Sequence, residues 1–217
     1  MKKYMAIVIL LVFAVIGSIN ISYAQPTYDN MGTSMSNTKT AVDLRLAMRK
    51  LWEDRIVYTR NYIISAIAGL DDTSAIAKRL LKNADEIGDA IKPYYGDGAG
   101  KNLSILLQDQ ILIAIDVINA DKIGNNDEMV NADKKWRANA ADIALFLSGV
   151  NSNWVQKDLA DMLYKHLEYT TGEIVSRLKT DWVADIAFYD KGHVHILMFA
   201  DVLTDGIVKQ FTYKFQK

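Results

Sequence analysis

From about residue 41 onwards, apolar residues recur every three or four positions, which is the spacing of one helix face. The first apolar stripe ends at Gly69, a residue type that favours a helix C-terminus. Its members are Leu44, Met48, Leu51, Trp52, Ile56, Ile63 and Ile67. The pattern predicts a long first helix that runs from about residue 41 to this glycine.

The same spacing predicts further helices along the rest of the chain. A second helix begins after the N-cap residues 72–74 and stops before Pro93, in the loop PYYGDGAG. The remaining predicted segments cover about 100–120, 127–147, 154–178 and two pieces within 181–211, separated near Gly192. No stretch competes convincingly with the period of two expected for a strand. We therefore predict an all-α, antiparallel bundle of six to seven helices.

An internal repeat becomes visible when the sequence is shifted by 56 residues. Asn83-Ala84 then aligns with Asn139-Ala140, and similar apolar residues follow without a gap. The first helix joins at a slightly different shift, in three aligned sets: Arg55, Gln110 and His166; Ile56, Ile111 and Leu167; Thr59, Ala114 and Thr170. The bundle is therefore expected to consist of repeated helix hairpins.

The N-terminus, MKKYMAIVILLVFAVIGSINISYAQP, has the three parts of a secretory signal peptide. Two lysines precede an apolar run shorter than a membrane span, and Ser22-Tyr23-Ala24 resembles a cleavage site. We expect a signal peptide over 1–24, a flexible polar arm over 25–40 and a single helical domain over 41–217. The expected location is secreted or in the cell envelope. The alternative is a protein anchored by an uncleaved N-terminal segment.

Composition excludes several kinds of function. The chain has no cysteine, so disulfides, thiolate metal sites and cysteine nucleophiles are excluded. The formal net charge is −1 and no cluster of Lys and Arg stands out, so we expect no nucleic-acid partner. With only two prolines, long helices can continue without interruption. No permanent membrane span is expected if the signal peptide is removed.

Polar residues fall on an otherwise apolar helix face in the stretch LYKHLEYTTGE. His166, Thr170 and Glu173 lie at i, i+4 and i+7, and the repeat places Arg55 and Gln110 at positions equivalent to His166. Buried polar groups need partners, so Glu173 is expected to pair with Arg55. The candidates for a ligand site or a polar layer are Arg55, Thr59, Gln110, His166, Thr170, Glu173 and Asp201. Two interpretations remain open, a structural layer that fixes helix register and a ligand pocket between helices.

Metal binding and catalysis are alternatives to a simple ligand pocket. A divalent metal could be held by His166 with Glu173 or Asp201, although the Glu-x-x-His motif of di-iron bundles is absent. The sequence contains no phosphate-binding glycine loop and no G-x-S-x-G motif, so no cofactor is predicted. An enzyme with His166 as general base is the third alternative.

Several motifs resemble a family of small helical bacterial and archaeal proteins without an established function. The motifs are LWEDRIVYTR, AIKPYYGDGAG, WRANAADIALFL, MLYKHLEYTTGEI and GIVKQF, spread over about residues 44–211. The resemblance implies a helical fold and histidines at positions 55 and 110, where this chain has Arg and Gln. Metal affinity through a histidine cluster would then be weak or lost here. Some relatives are labelled transferases, but no motif here supports that activity.

Taken together, the pattern predicts an exported helical bundle that acts by binding rather than by covalent catalysis. Its expected partner is a small ligand or another protein.

Overall fold

A computed structural model describes residues 38–216. It contains five α-helices and no strand in that range: α1 Lys39–Ala68, α2 Thr73–Ile123, α3 Asn126–Val150, α4 Gln156–Leu178 and α5 Trp182–Gln210. A short 3₁₀ helix, Thr212–Phe215, follows. The all-α prediction is therefore confirmed. The expected signal peptide and nearly all of the expected polar arm lie outside the described residues.

Local sequence signals account for the ends of the helices. The Thr38 side chain caps the start of α1 by accepting a hydrogen bond from the Ala41 backbone N–H. Gly69 ends α1 with a φ of 69°, and Gly124 ends α2 with the same left-handed φ. Only glycine adopts this conformation at little cost, so both residues stop a helix where the sequence pattern predicts a stop.

The structure has five helices where the pattern predicts six or seven. In the predicted loop at residues 93–100, only Gly96 leaves the helical conformation, with φ 83° and ψ 169°. The chain reverses there, and the two arms of α2 approach so closely that a Cβ on Gly88 would overlap the Gly100 carbonyl oxygen. A single glycine with a positive φ therefore reverses the chain where the sequence pattern predicts a loop.

The predicted break near Gly192 is not found. Helix α5 continues through this residue. A glycine inside a helix costs only about 1 kcal/mol relative to alanine, which packing readily offsets. A Cβ at Gly192 would lie in ordinary contact distance of Ile56 and Tyr169, so the surroundings at this point are well packed.

The helices enclose one apolar core that runs through the described part of the chain. Trp52 of α1 and Phe199 of α5 are both 1 % exposed and pack edge to face, with ring centroids 5.0 Å apart. Ion pairs join the same two helices: Arg45 lies 3.0 Å from Asp205, and Arg49 lies 2.6 Å from Asp201. Since the residue numbers rise on one helix as they fall on the other, α1 and α5 are antiparallel.

By length and composition alone, α2 could cross a membrane. A core helix of a soluble protein can have the same properties. This helix supplies Ile87, Leu103 and Leu107 to the core, each at most 1 % exposed.

Candidate functional site

A small cavity lies among α1, both arms of α2, α3 and α4. Its volume is about 30 Å³. That space admits about two water-sized groups. Of the nine residues that the predicted repeat aligns in three sets, all but Ile56 line it: Arg55, Thr59, Gln110, Ile111, Ala114, His166, Leu167 and Thr170. The remaining lining is mostly isoleucine and leucine, and no lining residue carries a carboxylate.

A recurring hydrogen bond positions the first helix of each pair against the second. Asn83 donates to the Leu51 carbonyl at 2.9 Å, and Asn139 donates to the Leu106 carbonyl at 3.0 Å. His195 stands 56 residues after Asn139, and its Nε2 lies 2.8 Å from the Met162 carbonyl oxygen. The three carbonyls are each four residues before a polar cavity residue, in the pairs Leu51 and Arg55, Leu106 and Gln110, Met162 and His166.

Since four residues make about one helical turn, each polar residue follows its anchored carbonyl by one turn on the same face. The bonds thus hold Arg55, Gln110 and His166 at one level of the bundle.

Arg55 and Gln110 contact each other directly. The Arg55 Nη2 donates to the Gln110 Oε1 at 2.7 Å, and both side chains are buried. The Arg55 Nη1 and the Gln110 Nε2 are also buried, yet neither finds a partner among the described residues. Burial lowers the pKa of Arg55 to about 10, so the guanidinium stays charged at neutral pH. Its Cζ lies 5.9 Å from the centroid of the Trp52 ring, which offers only weak compensation.

His166 is 8 % exposed, and its Nδ1 has no hydrogen-bond partner in the described part of the chain. Burial, together with the nearby positive charges that His195 and Arg55 can carry, lowers its pKa to about 3. The ring is therefore neutral at physiological pH. A neutral imidazole offers one donor and one acceptor. The Thr170 hydroxyl does not reach the ring, because it donates to the His166 backbone carbonyl at 3.1 Å.

Trp136 of α3 completes the polar part of the cavity. It lines the cavity, is 3 % exposed, and its indole Nε1 has no partner among residues 38–216. No sequence pattern places it beside Arg55. Trp136 stands 56 residues after Leu80, which also lines the cavity, so the predicted 56-residue repeat would align these two positions.

Glu173 lies elsewhere, and the expected Arg55–Glu173 pair is wrong. The Arg60 Nη1 donates to the Glu173 Oε1 at 2.7 Å. The reason is axial distance: Glu173 lies seven residues, or about 10 Å, beyond His166 along α4. Arg60 lies five residues, or about 7.5 Å, beyond Arg55 along α1, so it matches the level of the carboxylate.

Glu173 belongs to a network of two buried carboxylates and two half-buried arginines that no sequence pattern indicates. Arg60 also contacts Asp185 at 3.2 Å, and Arg177 contacts the same carboxylate at 2.8 Å. Burial raises the pKa of Glu173 to about 7, against the opposing attraction of Arg60. Asp185 is spaced too far along the sequence from Arg60 for any local pattern to join them.

Asp201 is also remote from the cavity, because its partner Arg49 holds it at the α1–α5 contact. Thr59 lines the cavity at its α1 side. Of the seven candidate residues, the structure therefore brings together Arg55, Thr59, Gln110, His166 and Thr170, and it separates Glu173 and Asp201 from them.

Metal ligands do not cluster in the described range: residues 38–216 contain no group of three or more histidines or carboxylates placed to hold an ion. His166 and Glu173 are on one helix, but His166 lines the cavity whereas Glu173 pairs with Arg60. His193 lies on the outside of α5, where its Nε2 is 3.1 Å from Glu53. The divalent metal therefore stays an untested prediction.

No family model, curated protein or solved structure matches this chain.

Proposed function

We propose that this protein acts by non-covalent binding of a small ligand in the cavity among α1, α2, α3 and α4. One observation carries the proposal: four buried nitrogen atoms around a single cavity have no partner among the described residues. They are the Arg55 Nη1, Gln110 Nε2, Trp136 Nε1 and His166 Nδ1. A buried polar group without a hydrogen bond costs about 1–3 kcal/mol, so four at one place favour a site that a ligand completes.

The repeated hairpins belong to the same proposal. The three equivalent side-chain-to-carbonyl bonds, made by Asn83, Asn139 and His195, support an origin from three related helix pairs. In this interpretation the cavity lies where the three units meet. Each unit contributes one polar residue at the same position, and the three positions have diverged to Arg, Gln and His.

Binding is favoured over general-base catalysis by the state of His166. An effective general base has a pKa near the working pH. A pKa of about 3 leaves the ring unprotonated but weakly basic. Metal binding is less favoured than a polar ligand, because Arg55 places a positive charge in the same cavity and no carboxylate lines it. We place the protein outside the cytoplasm, on the strength of its N-terminal sequence.

A thermal-shift screen with a cavity-filling variant tests the proposal. Ala114 lines the cavity and carries only a methyl group, so Ala114→Leu should occupy part of the space. The purified full-length chain is melted with a panel of small anionic, cationic and neutral molecules. A binder at a hundredfold excess over its Kd should raise the Tm by roughly 5–10 °C.

The matched control is Ala47→Leu, which adds the same side chain to an exposed position of α1 that lines neither this cavity nor the groove between α2 and α3. The proposal expects at least one probe to stabilise the wild type and Ala47→Leu but not Ala114→Leu. If no small probe stabilises the wild type, or if Ala114→Leu responds equally, the cavity is not a ligand site and the polar residues are a structural layer.

A further inference from the structure

The charge of Arg55 is uncompensated within the described part of the protein. Each of the other arginines there contacts a carboxylate, at 4.0 Å or less. Arg55 is 5 % exposed, and its one hydrogen-bond partner is the neutral amide of Gln110. Removing a guanidinium from water without an opposite charge is costly, since the lost hydration is not replaced. The fold therefore keeps a cation at a place where nothing in residues 38–216 neutralises it.

Most of the unpartnered nitrogen atoms around the cavity are hydrogen-bond donors. Arginine, the amide nitrogen of glutamine and the indole nitrogen of tryptophan are donors only. Three donors thus line the cavity, from Arg55, Gln110 and Trp136, and His166 can supply a fourth in one tautomer of the neutral ring. A group that completes them must accept several hydrogen bonds. This requirement disfavours cations and favours an anion, which can accept from all the donors and also balances the charge of Arg55.

The size of the cavity limits the anion. A cavity volume of about 30 Å³ favours a compact anion over a larger organic one. Hydrogen bonds between a charged donor and a charged acceptor are the strong ones, and an arginine in an apolar surrounding gains most from them. Isoleucine and leucine side chains form most of the rest of the lining, so the surroundings of the site are largely apolar.

From this geometry we propose that the cavity is a specific site for a small monovalent anion of halide or formate size, held by Arg55, Gln110, Trp136 and His166. This inference rests on the proposed ligand-binding function and names the ligand class. The anion neutralises Arg55 and accepts from the donors that otherwise have no partner.

The first test compares formate with formamide, which has nearly the same shape but no charge. Full-length protein is melted in sodium gluconate, whose anion is too large for the cavity, and gluconate is replaced stepwise by formate, chloride or bromide at constant ionic strength. A hundredfold excess of a bound anion should raise the Tm by roughly 5–10 °C. Formamide at the same concentration should leave the Tm unchanged.

The variants are Arg55→Gln and, as the matched control, Arg137→Gln on the exposed face of α3. Loss of the charge partner should weaken anion binding about thirtyfold or more, whereas the control should bind as the wild type does. Because Arg55→Gln could fail to fold, a second measurement uses the wild type alone. Bromide-soaked crystals should show an anomalous peak within hydrogen-bond distance of the Arg55 Nη1.

The outcomes separate the two proposals. If formamide stabilises as well as formate, and Ala114→Leu abolishes both effects, the cavity binds a neutral ligand and the anion assignment is wrong. Bromide found only at the protein surface, or equal stabilisation of Arg55→Gln, would also overturn the anion site. If no probe of any charge stabilises the wild type, both proposals are wrong.

Discussion

Two buried polar clusters contain arginines of the same helix, five residues apart, and they are built in opposite ways. In the paired cluster, Arg60 and Arg177 contact Glu173 and Asp185, so two positive and two negative side chains are matched. In the cavity cluster, Arg55 contacts only the neutral Gln110, while His166 and Trp136 each leave a nitrogen without a partner among the described residues.

The difference shows how burial can serve structure or binding. A buried charge with its partners in place is part of the folded framework, and removing one partner leaves the other uncompensated. A buried charge without a partner destabilises the folded state, and a bound ligand that supplies the missing partner removes that destabilisation. Arginine thus stabilises the fold in the paired cluster and presents an unsatisfied donor to a ligand in the cavity cluster.

The largest expected effect is the loss of Arg60. Arg60→Met should lower the free energy of unfolding by about 3 kcal/mol. The Glu173 side chain is only 3 % exposed, so it would lose its ion pair without gaining water in its place. The value lies at the lower end of the usual range, since Arg177 still contacts Asp185. Urea unfolding followed by circular dichroism measures the change.

Arg137→Met is the control, since Arg137 is 44 % exposed and its ion pair with Asp133 is at the surface. Its effect should stay within about 0.5 kcal/mol. Equal effects of the two substitutions would show that the paired cluster contributes no more than a surface ion pair.

Acidification should act on the two clusters with opposite signs. The folded pKa of His166, about 3, lies below its usual 6.5, so between these values the unfolded state binds the extra proton and stability falls as the pH falls. The folded pKa of Glu173, about 7, lies above its usual 4.5, so the native state binds the extra proton in that window and stability rises as the pH falls. From pH 7 to pH 5 each contribution is about 2 kcal/mol, which leaves the two nearly cancelled.

Single substitutions separate the stability contributions of His166 and Glu173, which nearly cancel in the wild type. Relative to the wild type, His166→Gln should gain about 2 kcal/mol of stability between pH 7 and pH 5, and Glu173→Gln should lose about the same amount. Urea unfolding at the two pH values measures both. His195, whose pKa burial also lowers, is present in all three proteins. Parallel pH profiles for the three proteins would contradict the assigned pKa directions.

Much of this arrangement is encoded in periodicity, and the rest depends on distances between helices. The apolar stripes predict the helices, and the predicted repeat aligns Arg55, Gln110 and His166, which the structure places around one cavity. The partner of Glu173 is predicted wrongly, because sequence spacing along one helix does not give the level of the neighbouring helix. The shift that aligns the three cavity residues relates positions on different helices, which spacing along a single helix cannot do.

The number of separate helices depends on two glycines. Glycine is a weak signal by itself: at Gly96 a left-handed φ reverses the chain within a single residue, whereas at Gly192 the helix continues. Which outcome occurs depends on whether the flanking segments gain more from packing as a hairpin or as one helix. That balance involves residues remote in sequence, such as Ser104, whose side chain packs against Gly88.

The smallest expected change in the free energy of unfolding is that of Arg55→Met, which contrasts most clearly with Arg60→Met. In gluconate buffer, Arg55→Met should be within about 1 kcal/mol of the wild type, or more stable, because the lost hydrogen bond to Gln110 is offset by removal of an unpaired buried charge. In formate the wild type should gain stability and the variant should not, so the difference between them becomes dependent on the anion. Urea unfolding in both buffers measures it. If Arg55→Met lowers the free energy of unfolding by about 3 kcal/mol in gluconate, as expected for Arg60→Met, then Arg55 also stabilises the fold, and the contrast between the two clusters disappears.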